Sequence, residues 1–170
     1  IVMCHRAIDY HPDHRSVGML VQDAAYMVTV PFFCPDTPHL AKNPVFLYYE
    51  DRFQKPNPFS ADVVVGIDRV IDKKLDAAEA LASQTLEGGC NGSADLYPDD
   101  PDRQRARREQ VRDGFRGRCA GTAKRFRQQL VSWYGEEKAK EVRYAEAFEV
   151  CEYGRQPSKE ELRKLFPFFP

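Results

Sequence analysis

The sequence has no apolar run that approaches the ~20 residues needed to cross a bilayer, and no segment that resembles a cleavable signal. We therefore expect no membrane association and a location in the cytoplasm. The sequence also has no CxxC pair, and its cysteines are odd in number and widely spaced: Cys4, Cys34, Cys90, Cys119 and Cys151. This spacing argues against a disulfide framework and indicates a reducing compartment, with the five cysteines as small buried side chains.

The formal net charge is also close to zero, at −1 over 170 residues. Residues 1–102 nevertheless carry 8 Lys and Arg against 16 Asp and Glu, whereas residues 103–170 carry 17 against 10. Such polarity indicates either a nucleic-acid surface or two complementary faces of one fold. The 42% hydrophobic content is typical of a globular chain, and we expect a single domain over residues 1–170.

The hydrophobic pattern alternates between strands and helices. It predicts strands at 1–6, 45–51 and 62–68, helices at 15–29, 69–87 and 103–134, an extended segment at 142–154 and a last helix capped by Ser158. Strands that alternate with helices predict an α/β fold with a largely parallel sheet. In the helix at 15–29, the predicted core face consists of Val17, Leu20, Val21, Ala24, Ala25 and Val28.

The segment DYHPDH, residues 9–14, places His11 and His14 three residues apart with Asp13 between them. Neutral histidine is a good zinc ligand, and a carboxylate can fix the tautomer of a neighbouring imidazole. The segment also lies between a predicted strand and a predicted helix, where α/β proteins place their chemistry, and its Pro12 suits the first turn of that helix. It is therefore a candidate metal site in which one histidine binds the ion and the other moves protons.

A structural interpretation of the same segment remains open. Two histidines and an aspartate in a strand-to-helix turn can simply satisfy backbone donors, with Asp13 favoured by the helix dipole. The motif supplies at most two of the three protein ligands that a catalytic zinc usually has. Cys4 and His5 point to opposite faces of a strand, so at most one could join, and His39 lies in a proline-rich loop that could fold back.

The surrounding sequence resembles a known family. DYHPDHRSVGMLVQDAAYMVTVP is similar to the second signature of the PIG-L/LmbE-like deacetylases, and the resemblance continues through residues 42–68, VRYAEAFEVCEYG and LFPF. The family consists of zinc-dependent enzymes that remove acetyl groups from N-acetylated sugars and related compounds. The resemblance implies a Rossmann-like three-layer α/β sandwich, a bound Zn²⁺ and a small N-acetylated, sugar-like substrate.

The resemblance also implies a role for each residue of the motif. His14 would be a zinc ligand. His11 would stand beside the metal and stabilise the oxyanion or protonate the leaving amine, and Asp13 would orient and charge-couple His11. These roles match what amide hydrolysis needs, namely a metal-activated water, a polarised carbonyl and a proton for the departing nitrogen.

One part of the family pattern is not found in the sequence. The family begins with an Ala-His-Pro-Asp-Asp-like box that supplies further zinc ligands and a general base, and residues 1–170 contain no such box. We therefore expect the N-terminal part of the family domain to be missing from these residues. The macromolecular partner that we expect is this missing N-terminal segment or a second copy of the chain in a homo-oligomer. The alternative is a non-catalytic binding or interaction domain derived from the deacetylase fold.

Two further stretches have open interpretations. Residues 103–128 carry ten basic and two acidic residues, which suits nucleic acid, a docking surface or a solvated helix. Nucleic acid is the less favoured of these because the arginines fall at nearly every helical angle and the acidic half of the chain can absorb their charge. Phe46, Tyr48 and Tyr49 could line a sugar site, or they could belong to the core.

Overall fold

A computed structural model describes residues 1–169 as an α/β fold. Its strands are β1 (Val2–Cys4), β2 (Val45–Tyr49), β3 (Val63–Gly66) and β4 (Ala145–Gly154). Its α-helices are α1 (Pro12–Met27), α2 (Ile71–Glu79), α3 (Ala82–Thr85), α4 (Pro101–Arg125), α5 (Arg127–Tyr134), α6 (Glu136–Glu141) and α7 (Lys159–Leu165). In this part of the chain, no helix combines the length and apolarity needed to cross a membrane.

The four strands form one mixed sheet in the order β1–β2–β4–β3. β1 and β2 are parallel, whereas β4 is antiparallel to both β2 and β3. The α/β class is therefore confirmed, but a largely parallel sheet is not, because two of the three pairings are antiparallel. The reason is that the chain leaves the sheet at Gly66 and re-enters it at Ala145, directly opposite, so that β4 runs back along β3.

Apolar side chains cover both faces of the sheet, because successive residues of a strand point to opposite faces. Val45 and Leu47 of β2 point into a cluster that includes Phe166, which follows α7. Phe46 and Tyr48 point to the other face, where they pack with residues that include Ala25 of α1. Their burial, with 3% and 8% of the residue exposed, assigns Phe46 and Tyr48 to the core rather than to a sugar site.

Helix α1 begins at Pro12, in the first-turn position that the sequence predicts for this proline. It packs on the sheet through the small residues Gly18 and Ala25. The helix approaches so closely that a Cβ at position 18 would lie 2.9 Å from the carbonyl oxygen of His5. The prediction that Val17 and Leu20 belong to the core is wrong, since these residues are 52% and 67% exposed. The reason is that α1 meets the sheet with the face that carries its small residues.

Two long helices of the prediction are each divided in the structure. The predicted helix at 69–87 becomes α2 and α3, with a turn between Glu79 and Ala82. The predicted helix at 103–134 becomes α4 and α5, which meet at Phe126, whose φ of −108° and ψ of 33° are not helical. Phe126 is 6% exposed, so the break places a large aromatic ring in the core. The last helix begins with a complete capping box at Ser158, as predicted.

The arginine-rich helix α4 is held against the acidic face of α2. Arg112 donates to Asp76 at 2.8 Å and to Glu79 at 3.2 Å, and Arg108 pairs with Glu79 at 3.1 Å. Arg107 donates to the carbonyl oxygens of residues 85 and 86 at the end of α3. This arrangement supports the interpretation in which the acidic part of the chain absorbs much of the positive charge within the fold.

The cysteines are all free, and they are not all buried. Cys4, Cys119 and Cys151 lie in the interior, while Cys34 and Cys90 are exposed, so the prediction of five buried side chains is correct for three. Burial raises the pKa of the Cys4 thiol to about 11, with a smaller contribution from Cys151. The Cys4 thiol is therefore a neutral side chain of the core at physiological pH.

Candidate functional site

Three of the four histidines meet at the carboxyl end of the parallel pair β1 and β2. His5 directly follows β1, and residues 7–11 then turn the chain into α1. The rings of His5 and His14 are stacked with centroids 5.3 Å apart, and those of His11 and His14 are 4.8 Å apart. We call His5, Asp9, His11 and His14 the histidine corner. The two histidines of the HPDH motif, His11 and His14, thus lie side by side.

Asp9 fixes the orientation of His14. The Nδ1 of His14 lies 3.1 Å from Asp9 Oδ1, and the backbone N–H of His11 donates to the same oxygen at 2.8 Å. Burial raises the pKa of Asp9, but these hydrogen bonds and the nearby imidazoles lower it more, so that the pKa lies below its usual value. The carboxylate is therefore ionised and accepts the proton of His14 Nδ1–H. The lone pair of His14 Nε2 is left free for a metal ion or a proton.

His11 has the opposite tautomer because it caps α1. Its Nδ1 accepts a hydrogen bond from the backbone N–H of Asp13 at 3.2 Å. The ring proton of a neutral His11 therefore lies on Nε2, where it can be donated to a substrate oxygen. The carboxylate of Asp13 lies 3.9 Å from His11 Nδ1 and is 85% exposed. Nδ1 of His11 already accepts a hydrogen bond from the backbone N–H of Asp13. A role for the Asp13 carboxylate in orienting His11 therefore stays a prediction.

Two members of the corner have no assigned role in the sequence-based prediction. Asp9 is the first residue of DYHPDH. Aspartate tends to accept a hydrogen bond from the backbone N–H two residues later, here that of His11, and this tendency could have pointed to Asp9 from the sequence. His5 points to the site side of β1 while Cys4 points to the core, as their adjacent positions require. His39 does not join the corner but lies beside a separate apolar cavity.

A buried ion pair anchors the turn that carries the corner. Arg6 is 7% exposed and donates from Nε and Nη2 to the two carboxylate oxygens of Asp51, at 2.6 Å each. Its Nη1 also donates to the carbonyl oxygen of Asn57 at 2.9 Å. Because Asp51 follows β2, this pair ties the segment after β1 to the segment after β2.

Two tyrosines lie beside the imidazoles. Tyr10 is 76% exposed and meets the rings of His11 and His14 edge to face, each at 6.0 Å. Tyr49 is 39% exposed and contacts the ring of His5 at 5.3 Å. Of the three aromatics considered for a sugar site, Tyr49 is the one that reaches the surface beside the corner.

The corner does not complete a catalytic zinc site. Among residues 1–169, no group of three or more His, Cys, Asp and Glu side chains is arranged to hold a metal ion. A catalytic zinc usually takes three ligands from the protein, and the histidine corner offers one prepared nitrogen, His14 Nε2. The described residues therefore do not fit zinc by themselves, although their donor chemistry suits one side of such a site.

Comparison with known proteins adds evidence about the fold. No family model matches the chain. Among solved structures, GalB, the 4-carboxy-2-hydroxymuconate hydratase from Pseudomonas putida KT2440, is similar with a TM-score of 0.55 and 17% identity. The match covers 94% of this chain and 54% of GalB, so the chain spans about half the length of its structural neighbour. At this identity the likeness shows the α/β fold alone.

Proposed function

We propose that the histidine corner is one side of the active site of an enzyme that hydrolyses an N-acetyl group from an N-acetylated sugar or a related small molecule, with zinc as the metal. The observation that carries the proposal is the hydrogen bond between Asp9 and His14. A carboxylate that holds Nδ1–H and frees Nε2 is the arrangement typical of a metal-bound histidine.

The sequence resemblance to the PIG-L/LmbE-like deacetylases supports the same proposal from different observations. Under it, the mixed sheet is part of a Rossmann-like sandwich, and His14 is one ligand of the ion. The structural neighbour is also an enzyme, so this fold has a catalytic precedent. The word hydratase in its name describes that protein, and it does not set the reaction of this chain.

His11 stabilises developing negative charge in this proposal. Its Nε2–H can donate a hydrogen bond to the oxygen that becomes negative as water adds to the acetyl carbonyl. The proton that the departing nitrogen gains comes from the attacking water, so His11 keeps its own. The backbone N–H of Asp13 holds Nδ1 throughout, which keeps the proton on the nitrogen that faces outward. Asp9 keeps His14 oriented beside it. The described residues do not complete a ligand set for zinc, so the remaining ligands would have to come from outside them.

The proposal is tested by acetate release from N-acetylglucosamine by the natural gene product. We expect release that requires zinc, falls to background after treatment with a chelator and returns when zinc is restored. N-acetyl hydrolysis yields acetate and a free amine in equal amounts, so both products should be measured. Release that survives complete metal removal, or no release at any zinc concentration, would contradict the proposal.

A second candidate function is a non-catalytic interaction domain. Two observations favour it: the described residues lack a full metal ligand set, and α1 exposes apolar side chains such as Leu20. The acetate assay separates the two candidates, because an interaction domain would release no acetate in the presence of zinc.

A further inference from the structure

We propose that Tyr10 makes the histidine corner selective for cyclic N-acetylated sugars over acyclic N-acetyl compounds, because its ring is a platform for one face of a pyranose. This inference rests on the proposed function, since it concerns how the substrate of that reaction is recognised. It begins from a juxtaposition: the ring of Tyr10 meets the rings of both His11 and His14, the two imidazoles of the HPDH motif.

The position of the Tyr10 side chain is not explained by packing. The residue is 76% exposed, so the fold gains little from burying its ring. Its backbone is nevertheless held in place, because Nη1 of Arg15 donates to the carbonyl oxygens of Asp9 and Tyr10, at 2.7 and 2.9 Å. An aromatic side chain that is fixed at its base and open on its surface can bind a ligand at a low cost in conformational entropy.

The orientation of the Tyr10 ring suits a ligand that reaches from it to the imidazoles. Its plane lies at 89° to the ring of His11 and at 79° to the ring of His14, and the centroids are 6.0 Å apart in both cases. The tyrosine ring therefore stands nearly at a right angle to the two imidazoles and is not stacked on them. A flat molecule on the face of Tyr10 lies about one ring's width from both imidazoles.

A pyranose that carries an acetamido group matches this geometry. In the chair form of a glucose-like sugar, the axial C–H bonds make apolar faces that pack on an aromatic ring, while the equatorial substituents leave the ring sideways. N-acetylglucosamine carries its acetamido group equatorially. Its sugar ring can therefore rest on Tyr10 while its acetyl carbonyl extends to Nε2–H of His11. An acyclic N-acetyl compound has the same amide but no face to place on Tyr10.

Tyr49, the other tyrosine beside the imidazoles, is less suited to be the platform. It is 39% exposed, and its ring packs against Phe148 at 6.0 Å as well as against His5 at 5.3 Å. Since His5 is stacked on His14, Tyr49 lies at the His5 end of the row of rings and Tyr10 lies at the other end. Tyr10 is therefore the tyrosine that adjoins both imidazoles of the motif.

Saturation-transfer NMR with the natural gene product and N-acetylglucosamine tests the platform directly. We expect transfer to the ring protons of the sugar, its loss in Tyr10→Ala, and its retention in Tyr10→Phe, which keeps the aromatic face. The matched control is Tyr26→Ala. Tyr26 is 78% exposed and lies near the end of α1, about 18 Å along the helix from His14, so the same change there should leave the transfer intact.

Acetate release by the same variants measures the selectivity. For N-acetylglucosamine, Tyr10→Ala should lower kcat/KM about 10-fold, mainly through a higher KM, because the lost contact is made to the bound substrate as well as in the transition state. For N-acetylethanolamine, an acyclic probe with the same amide, Tyr10→Ala should leave kcat/KM unchanged. Circular dichroism checks that each variant is folded, as expected from the exposure of Tyr10 and Tyr26.

The inference and the proposed function fail in different ways. The inference alone is overturned by acetate release in which Tyr10→Ala keeps the preference for the sugar, by equal losses with both substrates, or by equal losses in Tyr10→Ala and Tyr26→Ala. Absence of saturation transfer to N-acetylglucosamine in the wild type overturns it as well. Saturation transfer that depends on Tyr10 without any release of acetate supports the platform and contradicts the proposed deacetylation.

Discussion

Replacement of His14 by alanine is expected to lower zinc-dependent acetate release more than about 100-fold, because it removes the prepared metal ligand of the corner. Asp9→Asn should lower release or zinc affinity about 10–100-fold, the usual cost of losing the partner that orients a metal-bound histidine. The effect of Asp9→Asn arises because an amide can present its NH₂ to His14 Nδ1, and this favours the tautomer in which Nε2 is protonated. Acetate release and zinc binding by titration calorimetry check both variants.

The matched control for Asp9→Asn is Asp36→Asn. Asp36 is an exposed carboxylate in the loop after α1, so the substitution makes the same chemical change away from the corner. It should leave acetate release and zinc affinity unchanged. Equal losses in Asp9→Asn and Asp36→Asn, or full activity in His14→Ala, would contradict the assignment of the corner.

Arg6→Met is expected to destabilise the fold by about 3–5 kcal/mol, because it leaves the carboxylate of Asp51 buried without its cation. The side chains of Arg6 and Asp51 are 8% and 12% exposed, so water cannot replace the lost partner readily. Urea unfolding followed by circular dichroism measures the change in the free energy of unfolding. The double variant Arg6→Met, Asp51→Leu should recover part of the loss, since it removes the unpaired charge.

The control for Arg6 is a surface ion pair of the same type. Arg105 and Asp102 are 78% and 89% exposed and 3.5 Å apart, so Arg105→Met should change the free energy of unfolding by about 0–1 kcal/mol. If Arg6→Met costs no more than Arg105→Met, the buried pair does not hold the turn that carries the histidine corner.

The sequence predicts those parts of the fold that depend on local chemistry. Pro12 marks the start of α1, and Ser158 with Glu161 marks the start of α7, because a helix terminus is decided within one turn of the chain. The direction of β4 is not local. It depends on how residues 67–144 return the chain to the end of β3. The hydrophobic pattern of residues 145–154 is the same for a parallel and an antiparallel strand, so it does not predict the direction.

The candidate site also has a part that local sequence predicts and a part that depends on the three-dimensional fold. His11 and His14 are three residues apart at the start of a helix, so their proximity can be predicted from spacing. The part played by Asp9 depends on a turn that bonds it to His11 and His14 at once, which becomes visible only in three dimensions. For α1, the apolar pattern covers two faces, and the sequence does not tell which face the sheet covers. The hydrophobic period therefore places Val17 and Leu20 in the core, whereas the structure exposes both side chains.

The central claim is that His14 presents a free Nε2 to a metal ion while His11 keeps its proton on Nε2. Long-range ¹H–¹⁵N correlation spectra of the imidazole rings in the natural gene product, recorded at alkaline pH and then during zinc titration, test it most directly. We predict the Nδ1–H tautomer for His14, the Nε2–H tautomer for His11, and a zinc-dependent shift at His14 Nε2. An Nε2–H tautomer at His14, or a titration in which zinc leaves His14 unchanged, would contradict the account.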